Sequence, residues 1–353
     1  MNYECENNSW WSESTEFSNL RRSLKLQSCQ LRGLGGYLPS RVLKNEELAR
    51  TLGVSEEWIF SRTGIKERHI LEQGQNTSDL ALHAAREALS DSGLAPGEIT
   101  HLLLGSCSPD GLVPNTACTL ERKLGLTGLV ALDFNVACSG FLYGLYLAGA
   151  ILNLEPEAKV LLVAAEAMSR ICDWRDQNVS ILFGDGAGAA VLTGGGSEGM
   201  TIEDIFLSSD GGPGELLTAH GGGSRAAYHS PEASVGEGYF LHMQGREVFR
   251  HAVKRMTEAC RTILERNGLT PDDIDLFVPH QANLRIIEAV GEKLGFPAEK
   301  VVLHLEHCGN TSAATIPLAL AHCKKMGLMR PGLRILTAAF GAGFTWGSAL
   351  LKT

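Results

Sequence analysis

The chain has nine cysteines, an odd number, with no Cys-x-x-Cys pair among them. That fits neither a disulfide framework nor zinc-finger spacing, and a reducing cytosol is the expected home. Cationic residues are in the minority: 31 Lys plus Arg stand against 40 Asp plus Glu, a formal net charge of -9. Such a balance argues against nucleic-acid binding through the overall field, and any acidic partner must find a local basic patch. Long hydrophobic runs are also lacking. No run reads as reaching the roughly 18 residues that span a bilayer. Met1–Lys25 carries acidic residues and lacks the apolar centre of a signal peptide, so the expectation is a soluble, unsecreted, cytoplasmic protein. What is present is the ordinary balance of a globular chain, 44% hydrophobic and 20% charged over 353 residues, enough for a large core in one or two domains.

Residues 1–25 are rich in Asn, Ser and Glu, show no sustained period, and read as an appended arm. From Leu26 onward, short β-branched or Leu-rich runs alternate with helical patterns, which predicts an α/β architecture. Strands are expected at 101–106, 159–165, 180–183, 189–192, 275–278, 300–303, 334–339 and 346–351. Helices are expected at 78–90, 139–153, 246–266, 284–294 and 312–325. A buried strand followed by Gly-Ala-Gly occurs twice, at Gly186–Gly188 and Gly341–Gly343, which suggests duplicated halves at 26–208 and 209–353. Neither glycine motif opens onto a helix, so the signal for a nucleotide cradle is weak. The Gly-rich stretch 209–238 reads as a long loop of the kind that forms lids or entrances.

Three polar residues stand at predicted strand-to-helix junctions. Cys138 reads as standing at the first turn of an apolar helix, where free amide N–H groups and the helix dipole should lower its pKa below the usual value of about 8.5. His280 ends one strand and Asn310 follows another, at the sheet edge where chemistry gathers in α/β folds. A Cys-His-Asn order also fits a papain-like hydrolase, although the Cys-Gly-x-Cys-Trp signature is missing. His304, Glu306, His307 and Cys308 are close in sequence, but alternate residues of an extended segment face opposite ways and no second cluster completes a site, so no metal is expected.

Six segments, in order, carry a resemblance to a known family: Glu57–His69, Val136–Phe141, Phe183–Ala189, Val278–Arg285, Gly309–Ala314 and Phe340–Gly347. With them the chain resembles β-ketoacyl-acyl carrier protein synthase III of the thiolase superfamily, from about Leu26 to Thr353. The resemblance implies an α/β thiolase-like fold of five layers (α-β-α-β-α) built from two duplicated halves, and usually a homodimer. It implies Cys138, His280 and Asn310 as the catalytic set, with the backbone N–H groups of Cys138 and Ala342 as the oxyanion hole. The implied reaction is decarboxylative condensation of an acyl-coenzyme A primer with malonyl-acyl carrier protein, initiating fatty acid biosynthesis. No cofactor is implied, since the coenzyme A thioester is itself a substrate.

The same resemblance implies an entrance for the pantetheine arm formed by Trp58, Arg62, Gln177, Arg246, Phe249 and Asn283. Here Gln177 stands where the family has Arg, Arg246 where it more often has Asn, and Ala342 where it has Gly. Val113, contributed by the partner subunit, and Phe141 are implied at the acyl pocket. Arg246, Arg250 and Lys254 recur every four residues and so share a helix face, with Arg285 on the helix that docks the carrier in the family. A basic stripe on an acidic chain would steer an acidic carrier protein, while a solvated helix face is the plainer alternative. Three readings stay open: a condensing enzyme, including a relative in specialised metabolism with another acyl donor; a hydrolase or acyltransferase using the same Cys; and a non-catalytic subunit of a larger synthase.

Overall fold

The structure, a computed structural model, describes residues 29–353 except 197, 222 and 224–238. The appended arm at 1–25 and most of the expected 209–238 loop lie outside the described residues. In chain order the strands are β1 (Cys29–Tyr37), β2 (Arg41–Lys44), β3 (Glu67–Ile70), β4 (His101–Gly105), β5 (Val130–Phe134), β6 (Lys159–Glu166), β7 (Gly186–Gly194), β8 (Met200–Ser209), β9 (Leu217–Thr218), β10 (His242–Met243), β11 (Leu276–Pro279), β12 (Arg334–Gly341) and β13 (Thr345–Lys352). The helices are α1 (Asn45–Leu52), α2 (Glu56–Thr63), α3 (Thr77–Ser92), α4 (Thr116–Leu124), α5 (Gly140–Leu154), α6 (Gln177–Ser180), α7 (Gly245–Arg266), α8 (Leu284–Leu294) and α9 (Thr315–Lys325).

Nine strands run in the order β11-β12-β13-β8-β1-β7-β6-β4-β5. The join at β1 and β8 consists of only two residue pairs, Gln30 with Thr201 and Leu31 with Met200. The sheet therefore behaves as two halves that fold over a shared core. That core is formed by α5 and α9, whose buried residues pack with both halves, including Leu162 and Leu192 from the first and Ile335 and Ala349 from the second. The outer face of the first half packs on α3 and α4, and the outer face of the second on α7 and α8. Five layers result, α-β-α-β-α. A strand covered on both faces needs no polar alternation, which is why β6 reads Val-Leu-Leu-Val-Ala-Ala between its ends.

The halves repeat one pattern: β4 lies parallel to β6 and β6 antiparallel to β7, as β11 lies parallel to β12 and β12 antiparallel to β13. The strand β8 pairs along its length with β13, so by hydrogen bonding it joins the second half, earlier than the boundary expected at 209. The two Gly-Ala-Gly motifs are not equivalent. Gly186–Gly188 opens β7, whereas Gly341 ends β12 and Gly343 lies in the turn before β13.

Two expected strands are absent. Residues 177–180 form the short α6, and Phe183 makes a single bridge to Asn310. Val301 makes a single bridge to Phe277 where 300–303 was expected to extend. The segment Ala137–Leu154 does reach the length and hydropathy of a membrane-crossing helix, contrary to expectation, with a mean hydropathy of 1.4. Its place at the centre of the fold explains that composition, since α5 buries residues against both sheet halves.

Strand β1, not among the expected strands, has the glycine-rich sequence Cys-Gln-Leu-Arg-Gly-Leu-Gly-Gly-Tyr. Its glycines answer to packing: a Cβ on Gly33 would lie 2.3 Å from the carbonyl oxygen of Ala88, and one on Gly35 only 2.2 Å from that of Ala84. Helix α3 thus rests directly on the strand backbone. Gly35→Val is expected to destabilise the fold by about 1–3 kcal/mol or more through overpacking. Gly97→Ala, where nothing lies within 4 Å of the new Cβ, should be close to neutral in the same denaturant titration. Equal midpoints for the two variants would contradict the close approach.

Candidate active site

Cys138 occupies a single 3-10 turn, Ala137–Ser139, between β5 and α5. Ala137 just before it has φ of 46°, a left-handed conformation that costs a non-glycine residue energy and recurs at functional sites. The thiol points to Ser312, donating to its Oγ at 3.5 Å. Helix α5 begins only at Gly140, so Cys138 precedes rather than occupies its first turn. Burial pushes the thiol up to about 12, and the nearby Glu166 carboxyl adds to the rise, although the Ser312 hydroxyl and the Cys138 amide oppose it. The expected depression below the free value is therefore corrected. Desolvation is the largest influence, and the thiol is the resting form.

His280 follows β11, its backbone N–H held by the Ala338 carbonyl at 2.7 Å. The ring is almost wholly buried, with Nδ1 2.6 Å from Thr315 Oγ1. Burial lowers its pKa to about 3, so the imidazole is neutral across the physiological range. The Thr315 hydroxyl donates to the Ser312 carbonyl at 3.1 Å and meets Nδ1 at 2.6 Å, which fixes the orientation of the ring.

Asn310 is held by its backbone, donating to Leu182 O at 2.8 Å and accepting from Gly184 N at 3.1 Å. Its side-chain Oδ1 accepts from Ser312 N at 2.9 Å. That leaves the amide nitrogen as the outward donor.

All three residues line one cavity of about 400 Å³, together with Trp58, Arg62, Gln177, Arg246, Phe249, Asn283 and Arg285. Its inner wall is apolar, with Val248, Ala252, Met256, Ile286 and Phe340. The structure thus brings together the expected catalytic set and every expected entrance residue. At the mouth, the Arg62 guanidinium lies 4.0 Å from the Trp58 ring centre, a cation–π contact. Asn283 caps α8, accepting from Arg285 N at 2.9 Å, and its amide donates to Arg62 O at 2.9 Å.

Arg246, Arg250 and Lys254 are exposed along α7, and Arg250 pairs with Glu247 at 3.0 Å. Arg285 reaches across to the Ser61 carbonyl at 2.7 Å. Phe141 is buried in the central core rather than lining the cavity, and Val113, expected to act from a partner subunit, is 89% exposed on its own chain. Ala342 is placed in the β12–β13 turn, one residue after Gly341, whose hypothetical Cβ would lie 2.8 Å from Cys138 N.

Ser312, Thr315 and Glu166 were not singled out by sequence reasoning, because Ser and Thr beside an Asn carry no distinctive pattern and Glu166 merely ends an apolar strand. Among the described residues no group of three or more His, Cys, Asp or Glu side chains is arranged to hold a metal. His304 stacks on His322 with ring centres 4.5 Å apart and meets Cys308 Sγ at 3.4 Å, while His307 faces Glu67 at 3.2 Å.

Comparison with known proteins agrees with this geometry. Residues 132–211 match the family model for 3-oxoacyl-[acyl-carrier-protein (ACP)] synthase III, and residues 264–353 match that for its C-terminal part. A β-ketoacyl-[acyl-carrier-protein] synthase III of Nitratidesulfovibrio vulgaris is 54% identical over 325 residues, 91% of this chain and 98% of the relative. The crystal structure of 3-oxoacyl-[acyl-carrier-protein] synthase III from Aquifex aeolicus superposes with a TM-score of 0.85 at 39% identity, covering 92% of this chain and 100% of the other. A priming β-ketosynthase of a polyketide biosynthetic pathway also gives a TM-score of 0.85, at 34% identity over 92% of this chain and 96% of that one. With such identity across nearly the whole of both sequences, this chain belongs to the β-ketoacyl-acyl carrier protein synthase III family.

Proposed function

We propose that the chain condenses an acyl-coenzyme A primer with malonyl-acyl carrier protein through an acyl-Cys138 intermediate, the step that initiates fatty acid biosynthesis. The observation that carries this reading is the shared cavity, where a sulfur nucleophile, a neutral imidazole and a carboxamide face one apolar space. In the first half-reaction, Cys138 Sγ attacks the primer thioester. The tetrahedral oxyanion takes hydrogen bonds from the amides of Cys138 and Ala342, and the absence of a side chain at Gly341 leaves the Cys138 amide uncovered.

In the second half-reaction the malonyl thioester loses carbon dioxide. The enolate oxygen that forms is held by the imidazole of His280 and the amide of Asn310, both neutral donors oriented by Thr315 and Ser312. Its carbon then attacks the acyl-Cys138 carbonyl. Decarboxylation itself supplies the carbanion, so the residues need no cofactor. Apolar walls keep water from the acyl-enzyme, which favours condensation over hydrolysis.

Docking of the acidic carrier falls to Arg250, Lys254 and Arg285, which project from α7 and α8 beside the cavity mouth. A homodimer is supported by the outer edge of the sheet. Strand β5 ends it with Val130 55% and Leu132 37% exposed, and Leu112 and Val113 are among the most exposed apolar residues of the chain. Such an apolar edge invites a second copy, which could carry Val113 toward the partner's acyl pocket.

Intact-mass measurement after incubation with acetyl-coenzyme A should show an acyl adduct on the wild-type chain and none on Cys138→Ala; release of free acid without an adduct would indicate a hydrolase instead. His280→Ala and Asn310→Ala should still acylate, yet lose condensation by on the order of 10²–10³-fold, the usual effect of removing an oxyanion donor.

Because the His280 pKa is depressed to about 3, its neutral form persists as pH falls, and the condensation rate should show no acid limb at the ordinary histidine value of about 6.5. By the opposite sign, the raised Cys138 pKa means that alkylation by iodoacetamide should keep climbing with pH through 9 and beyond; a plateau near 8 would contradict the buried thiol.

Charge reversal at Arg250 and Arg285 should raise KM for the carrier several-fold with little change in kcat. Unchanged kinetics would place docking elsewhere.

A further inference from the structure

Glu166, the last residue of β6, is fully buried and lies outside the cavity lining, and the scheme above gives it no task. Its carboxylate accepts from Ser108 Oγ at 2.6 Å, from Ser106 Oγ at 3.2 Å and from Cys107 N at 3.1 Å, with the Cys107 thiol 3.4 Å away. The Cys107 thiol also meets the Ser312 hydroxyl at 3.8 Å. That hydroxyl is the acceptor of the Cys138 thiol at 3.5 Å. A continuous path of exchangeable protons therefore runs from the nucleophile, through the Ser312 hydroxyl and the Cys107 thiol, to a buried acid.

The surroundings bear on how that path is used. Every one of these donors is neutral, and an ionised carboxylate buried among neutral donors is held at a cost that accepting a proton would relieve. Burial accordingly pushes Glu166 above the usual carboxylate range, while the serine and Cys107 donors oppose the rise. Ser312 has a φ of 51° and its N–H is held by Asn310, which sets its hydroxyl between the sulfurs of Cys138 and Cys107.

We propose that Glu166 stores the Cys138 thiol proton, passed through Ser312 and Cys107, for the lifetime of the acyl-enzyme. During acylation the S–H bond of Cys138 breaks as Ser312 Oγ takes that proton and gives its own to Cys107 Sγ, whose proton passes to Glu166. The Sγ–acyl bond forms, and the coenzyme A thiolate departs to take a proton from water. During condensation the enolate carbon forms its bond to the acyl carbonyl carbon and the Sγ–acyl bond breaks. The Cys138 sulfur leaves as thiolate and recovers the stored proton from Glu166 through Cys107 and Ser312. No electrons are exchanged with any other group, and one proton goes out and returns per turnover. The arrangement also makes Glu166 neutral when the malonyl carboxylate and its enolate occupy the cavity, which removes a like charge at the moment negative charge must be tolerated.

Glu166 touches no reacting atom and so is a positioning residue, distinguished from a purely structural one by its protonation change. The inference rests on Cys138 being the acylated residue. Infrared difference spectra of the full chain, before and after acylation with acetyl-coenzyme A, should show a carboxylate band lost and a carboxylic-acid carbonyl band gained. Isotopic labelling of glutamate should shift that band, and Ser312→Ala should abolish it. In Glu166→Gln the band should be absent and acylation slower by on the order of 100-fold, with the same final adduct mass and partial recovery in Glu166→Asp.

An acyl adduct formed with no carboxyl change in the wild-type chain overturns proton storage alone. No adduct on Cys138 at all overturns the condensation reading and this inference with it. Because the wild-type spectrum decides the matter, a variant that fails to fold leaves the test intact.

Discussion

Six consecutive residues, Asn310 to Thr315, touch every member of the site. Asn310 supplies its own amide to the cavity, the Ser312 hydroxyl receives the Cys138 thiol at 3.5 Å, and the Thr315 hydroxyl meets His280 Nδ1 at 2.6 Å. The hydrogen bond from Ser312 N to Asn310 Oδ1, 2.9 Å long, closes this turn and sets which end of the carboxamide faces substrate. The conformation is not free: Ser312 has φ of 51°, a region that costs a non-glycine residue about 1–3 kcal/mol. What holds it is the bridge from Asn310 to Phe183, backed by the buried Arg68 guanidinium, which donates to Ile181 O at 2.7 Å and Asn45 Oδ1 at 2.8 Å. A disturbance of this turn reaches nucleophile, imidazole and amide together, so their alignment depends on one local constraint.

A second property of the site is that its working groups are neutral at rest. Burial raises the Cys138 thiol to about 12 and lowers His280 to about 3, so neither a thiolate nor an imidazolium is stored. A cysteine hydrolase that relies on a thiolate–imidazolium pair would require the reverse shifts. At the nucleophile and the two donors facing it, charge arises only when substrate brings it, as the malonyl carboxylate and then as the enolate. In the proposed scheme, fixed dipoles from Asn310 and His280 meet that charge without reorganising, and an apolar cavity strengthens them relative to water. Neutrality and dryness therefore serve the same end, a carbanion that survives long enough to find the acyl carbon.

The sequence made the site more legible than the fold around it. Cys138, His280 and Asn310 could be placed because each stands where a strongly apolar run changes period, and such junctions converge at one sheet edge. The helices over α7 and α8 were readable from periodicity for the same reason. Strand β1 was not, because its glycines answer to the approach of α3, a tertiary fact with no local signature. Residues 300–303 have strand propensity, yet the chain turns away after a single bridge because Val301 has only Phe277 to pair with. The Cys138 pKa was misjudged in sign since helix termini are visible in sequence while the depth of a cavity is not. Ser312, Thr315 and Glu166 escaped notice for a related reason: their importance lies in partners far away in the chain, and their residue types are unremarkable.

Duplication explains why the site lies between the halves. Aligning Phe183-Gly184 with Phe340-Gly341 places each pair beside the catalytic turn of the opposite half. In the first half, Phe183 bridges to Asn310, and a Cβ on Gly184 would lie 2.7 Å from Cys308 O. In the second half, a Cβ on Gly341 would lie 2.8 Å from Cys138 N. Each glycine permits a backbone approach that a side chain would forbid, one holding the turn that carries Asn310 and the other exposing the amide beside the nucleophile. Neither half contains all three proposed catalytic residues, since Cys138 lies in the first and His280 and Asn310 in the second. The pseudo-symmetric contact between them thus serves two different chemical tasks, and the ancestral repeat survives most clearly where a missing Cβ lets one half touch the other's catalytic backbone.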